Sequence, residues 1–89
     1  MDREALARCH GYLVAAHDDL VGEVETPLFP PDGAHPDFLI LRVPGPPGPR
    51  RPVIAAALVE EVDAAARILY LRGTRDEIAA LPEHLPLVV

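Results

Sequence analysis

Apolar and polar residues alternate with a period of two along most of this chain, the pattern of strands that bury one face. Residues 12–16 (Tyr-Leu-Val-Ala-Ala) make the first such run, and His17-Asp18-Asp19 supplies a turn. Over residues 20–26, Leu20, Gly22 and Val24 face one way and Val21, Glu23 and Glu25 the other, which predicts a strand with an acidic outer face. Pro27 is expected to end or bend that strand, because proline has no N–H to give to a ladder. Phe29-Pro30-Pro31-Asp32-Gly33 then reads as a loop, with proline fixing φ and Asp-Gly tolerating positive φ. Residues 37–43 set Phe38, Ile40 and Arg42 against Leu39, Leu41 and Val43. Both sides are largely apolar, so this strand is expected in the interior of the sheet. Four prolines and two glycines in residues 44–49 make an exposed connection. Residues 51–55 should re-enter the sheet, 56–58 should turn, and 58–62 alternate around Glu60 and Glu61. A tight helical turn at 63–66 leads to a further strand at 67–72.

Two short helices frame this pattern. Residues 2–9 favour one, with Asp2 as N-cap and with Leu6 and Cys9 on one side. Near the other end, Thr74-Arg75-Asp76-Glu77 has the spacing of a capping box, in which each of Thr74 and Glu77 satisfies the other's amide. Ile78 and Leu81 follow on one side, and Pro82 stops the helix within a turn or two. The expected architecture is mainly β: a small antiparallel barrel of five to six strands, with a short C-terminal helix and a short N-terminal one. Residues 1–10 form an arm, 11–83 the domain, and 84–89 an apolar tail. Eleven scattered prolines exclude a helical bundle.

Composition narrows the chemistry. Twelve Leu, nine Val and four Ile in 89 residues are enough for one core and no more. There is no Ser, Asn, Gln, Lys or Trp, which excludes a serine nucleophile, a Schiff-base lysine and a Walker-type phosphate loop. The lone Cys9 has no partner for a disulfide, and Met-Asp-Arg-Glu lacks the cationic start of a signal peptide, so a cytoplasmic location is expected. No run approaches the roughly 18 apolar residues of a spanning helix. The net charge is −6, and all of it falls in residues 1–37, which hold eight acids and two arginines. Proteins that grip phosphate backbones show the opposite excess, so direct nucleic-acid binding is not expected. Arg42, Arg50, Arg51, Arg72 and Arg75 are read as solvated charges that keep strands from pairing with neighbours.

Three ordered segments resemble the PRC-barrel family. Gly11-Tyr12-Leu13-Val14 followed by Leu20-Val21-Gly22-Glu23-Val24 is similar to the family's opening strand pair with its Gly-x-Val signature. Arg51-Pro52-Val53-Ile54, continuing through Ala57-Leu58-Val59-Glu60-Glu61-Val62-Asp63, resembles its return strand. Ile68-Leu69-Tyr70-Leu71, then Thr74 to Ile78 and Leu81-Pro82, resembles its last strand and short helix. Asp18-Asp19-Leu20-Val21 stands where the family often has an Asp-Gly turn, and the stretches 27–36 and 44–49 are unusually rich in proline. The resemblance implies a β-barrel that works without catalysis or cofactor. Its relatives serve in assembly and docking, among them a reaction-centre H subunit and a ribosome-maturation factor. Many bacterial members stand alone, and self-association is common.

The titratable residues form no catalytic set in the sequence. His10 and His17 are seven apart and His35 is flanked by Asp32 and Asp37, but none has zinc-site spacing, so no metal is assigned. Cys9 beside His10 lacks the electropositive setting of an activated thiol. Asp18-Asp19 and Glu60-Glu61 are adjacent pairs that diverge on a strand, unlike the facing carboxylates of acid–base catalysis. Pro46-x-x-Pro49-x-Arg51 fits a polyproline ligand but reads first as a stiff loop. The candidate interaction residues are Leu85, Leu87, Val88 and Val89, which would leave a sticky patch if all stayed exposed. Either they pack on their own domain, against Leu6 and Cys9, or they pair across a homodimer. The expected function is a non-enzymatic, homodimeric protein-interaction module. The alternatives are a small-ligand or metal-binding protein using the acidic, histidine-bearing N-terminal third, and an RNA-processing or ribosome-associated assembly factor.

Overall fold

A computed structural model describes residues 3–31, 33, 35–46 and 48–83. The chain runs α1 (Arg3–Leu6), β1 (Leu13–Ala15), β2 (Leu20–Leu28), β3 (Phe38–Arg42), β4 (Val53–Ala55), a 3₁₀ turn (Ala56–Leu58), β5 (Val59–Asp63), β6 (Ile68–Leu71) and α2 (Arg75–Ala79). The protein is mainly β, as the alternation predicts. All six strands join one sheet in the order β4-β3-β2-β1-β6-β5.

The antiparallel closed barrel is corrected on two points. First, β1 and β6 pair in parallel, with Leu13, Val14 and Ala15 opposite Ile68, Leu69 and Tyr70. The cause lies at the 3₁₀ turn. The chain reverses between β1 and β2, β2 and β3, β3 and β4, and β5 and β6, each an antiparallel pair. It does not reverse between β4 and β5. Those two strands are one path, kinked at Ala56–Leu58, which leaves β3 and joins β6. One missing reversal brings β6 back alongside β1 in the same direction. Second, β4 and β5 lie at the two ends of the strand order, so the sheet is not closed by hydrogen bonds.

The sheet nonetheless curls. Laid flat, six strands would hold their outer members about 24 Å apart. The four residue-to-residue steps from Ala55 to Val59 span at most about 14 Å, so the edges must approach. Both edges accordingly feed one core: Ile54 of β4 and Val59 of β5 are buried in the same cluster as Val14, Leu41 and Leu69. Leu6, Cys9 and Ile78 of α2 belong to the same cluster. Burying a side chain of this size stabilises the fold by about 1.5–3 kcal/mol. Neither described helix is long and apolar enough to cross a membrane.

Two local expectations also change. Pro27 does not end β2. It pairs opposite Leu39, and the strand runs on to Leu28 past a register shift between Val24 and Thr26. The N-terminal helix is a single turn, Arg3–Leu6, shorter than residues 2–9.

Candidate interaction surface

The β1–β2 turn is built by its aspartates. Ala16 N–H donates to the Asp19 carbonyl at 2.8 Å, and Leu20 N–H donates to Asp19 Oδ1 at 2.7 Å. Asp18 Oδ1 accepts from the amide of Arg75 at 2.9 Å, which ties the start of α2 to this turn. Beyond the turn the ladder slips: Ala15 is opposite Leu20, but Val14 is opposite Gly22. One extra residue, Val21, sits on β2, which is a β-bulge. The bulge overturns the expected facing of this strand. Val21 and Val24 both point into the core, and Leu20 is left outside, 54% exposed. On the neighbouring strand Leu13 is 47% exposed, whereas Val14 beside it is fully buried.

Leu13 and Leu20 form the apolar side of a depression of about 570 Å³, whose other walls come from Glu23, Arg42, Pro44 and Arg75. Gly22 is in its lining. A Cβ there would collide with the carbonyl oxygen of Arg42, so only glycine lets β3 pass this close. Arg75 leans over the trough and donates Nε–H to the Leu20 carbonyl at 3.1 Å. Among the described residues no carboxylate lies within 4.0 Å of its guanidinium, while Glu23 has only a long contact to Arg42 at 3.9 Å. The trough is therefore an apolar strip with cationic and anionic groups on its rim.

The other candidate groups are occupied. His17 Nε2 lies 2.9 Å from Glu60 Oε1, and Arg72 Nε approaches the same oxygen at 4.0 Å. This cluster borders a second depression of about 480 Å³ with Tyr70 and Glu61. His10 and His35 are exposed elsewhere. Among the described residues no three His, Cys, Asp or Glu side chains gather as a metal-ligating group. Cys9 is buried, and its Sγ–H donates to the Leu6 carbonyl at 3.1 Å. Burial pushes its thiol up to about 11 from an ordinary 9.0, against a smaller lowering from a backbone hydrogen bond. A neutral, enclosed thiol is no nucleophile at neutral pH.

The five arginines read above as solvated charges divide among three places. Arg42 and Arg75 flank the trough, Arg72 stands by Glu60, and Arg50 and Arg51 meet Glu83 and Glu25 where the chain enters β4. Leu85, Leu87, Val88 and Val89 lie outside the described residues. The segment leading to them is held against β4: Val53 N–H donates to the Pro82 carbonyl at 2.8 Å, and Arg51 N–H donates to Glu83 Oε1 at 2.7 Å. Leu13, Leu20 and Arg75 were not marked by the alternation as surface residues of interest. Gly22, four residues after Asp18 in the middle of a strand pattern, is the signal of a bulge that exposes Leu20.

Compared with known proteins, the sequence matches no family model and no curated protein.

Proposed function

We propose that this chain is a non-enzymatic, PRC-barrel-like interaction module of the reducing cytoplasm that self-associates as a homodimer and needs no cofactor. The observation that carries the reading is the pair Leu13 and Leu20, each about half exposed and set diagonally on adjacent strands of the sheet's outer face. A fold with few large aliphatics gains from covering two of them; completing the burial of both adds about 2 kcal/mol. The chemistry of the remaining groups supports a docking role. Cys9 is shut in the core with a raised pKa, and His17 is engaged by Glu60. Kinship with the PRC-barrel family is proposed on the three ordered segments, together with the curled β-sheet that carries them. The test is sedimentation velocity over a concentration series. The wild-type chain should pass from monomer to dimer by the high micromolar range, and Leu20→Asp should remain monomeric with an unchanged melting temperature. A wild-type chain that stays monomeric throughout would refute self-association.

A further inference from the structure

We propose that two copies meet face to face over the Leu13–Leu20 trough around a two-fold axis, with Arg75 of each copy pairing with Glu23 of the other. This rests on the self-association reading and adds to it the surface, the symmetry and the contacts that set the register.

Arg75 is fixed at one end of the trough by its 3.1 Å bond to the Leu20 carbonyl. Glu23 is three residues further along β2 and directly opposite Leu13. Because of the bulge these positions face Ala15 and Leu13, two residues apart on β1, so at about 3.3 Å per residue they are about 7 Å apart along the strand. The Leu20 end of the strip thus carries the Arg75 guanidinium, next to the Asp18–Asp19 turn, and the Leu13 end carries Glu23 with Arg42 opposite it on β3. A two-fold axis through its middle reverses one copy on the other and lays each Arg75 against the Glu23 end of the other copy, the self-complementarity that an isologous interface demands. Both groups have capacity for it. The Arg75 guanidinium has no carboxylate within 4.0 Å among the described residues, Asp18 being bound to the Arg75 amide, and Glu23 is held only by Arg42 at 3.9 Å. Leu13 and Leu20 of each copy then cover those of the other.

The competing surfaces are less suited to a second copy. The free edge of β5 carries Glu60, Glu61 and Asp63, which would oppose their own copies as like charges. The free edge of β4 is three residues long, and the Val53 amide already donates to Pro82. The depression at His17 is bordered by Glu60, which His17 engages and Arg72 approaches.

The decisive experiment is a charge-reversal exchange followed by sedimentation velocity. Arg75→Glu sets Glu against Glu in its own dimer, and Glu23→Arg sets Arg against Arg. Each alone should weaken self-association about tenfold or more. An equimolar mixture of the two should form a heterodimer, because both cross-contacts are then of opposite sign again. Recovery on mixing also shows that both variants are folded. Arg75→Gln and Glu23→Gln provide milder substitutions that should weaken the dimer and flatten its dependence on salt. If the reversals dissociate the dimer and the mixture does not restore it, the pairing proposed here is wrong. If every variant associates as the wild type does, the dimer uses another surface, and only the self-association reading survives. A wild type that is monomeric at every concentration overturns both, and is the result expected if the trough serves a different protein.

Discussion

Gly22 shows how much one missing side chain decides. Its position on the bulged strand brings the β3 backbone so near that a Cβ would meet the Arg42 carbonyl, with the Val43 Cα 3.2 Å away. Backbone on both sides cannot swing aside as a side-chain tip can. Gly22→Ala should therefore cost about 1–3 kcal/mol, read by urea denaturation, and should disturb the trough as well. A variant as stable as the wild type would mean that β2 and β3 separate easily here. Cys9 gives a second prediction. Its pKa is raised in the folded state, to about 11 from an ordinary 9.0. The folded chain holds this proton more tightly than the unfolded chain. Its contribution to stability is complete below about pH 9 and is lost as the pH rises towards 11. Compared with Cys9→Ala, the wild type should lose stability more steeply across that interval. Equal slopes would show that the thiol is not shielded. At this scale the sequence was informative about burial, since Leu6 and Cys9 do share the core. It was misleading about Leu20, because strict alternation counts residues and a bulge adds one.

Short elements here depend on side-chain contacts more than on helix propensity, since a helix of five residues has hardly nucleated. In α2, Thr74 Oγ1 accepts from Glu77 N–H at 3.2 Å and Glu77 Oε1 accepts from Thr74 N–H at 3.0 Å. This is the capping box that the spacing Thr-x-x-Glu announces. Asp18 takes a further amide, that of Arg75, from across the fold. Thr74→Ala should lower stability by about 1 kcal/mol, visible as a shift in the denaturation midpoint with an unchanged slope. A neutral result would mean that Asp18 and the burial of Ile78 hold α2 without its cap. The strands were legible for a similar reason: each expected run overlaps an observed strand, because each buries one face. Pro27 was not legible in the same way. Its lack of an N–H bars it from donating, but the register shift just before it frees the strand to continue.

Closure belongs to the whole molecule, and local pattern does not reveal it. Whether a chain reverses between two runs depends on three residues, Ala56–Leu58, which match no period. Because the chain kinks there without reversing, the sheet keeps two free edges, and the protein must stop them from recruiting other strands. On the β4 side it uses brevity, Pro82 and Glu83. On the β5 side it uses charge, with Glu61 opposite Tyr70 on the last ladder and Glu60 at the adjoining register shift. Glu60 also holds His17, so a test of the edge belongs at Glu61, which has no ion pair within 4.0 Å among the described residues. Valine at that position keeps the strand's preference for branched residues and removes the repulsion. Glu61→Val should leave the far-ultraviolet spectrum and melting behaviour close to wild type, since an exposed substitution shifts stability by about 0.5 kcal/mol or less. It should also add species larger than a dimer, which light scattering detects as a rising mass with concentration. Those species should persist in the Arg75→Glu background, because an edge contact is independent of the trough. A scattering profile that superimposes on the wild type would show that the edge is guarded by its geometry, with charge playing no part.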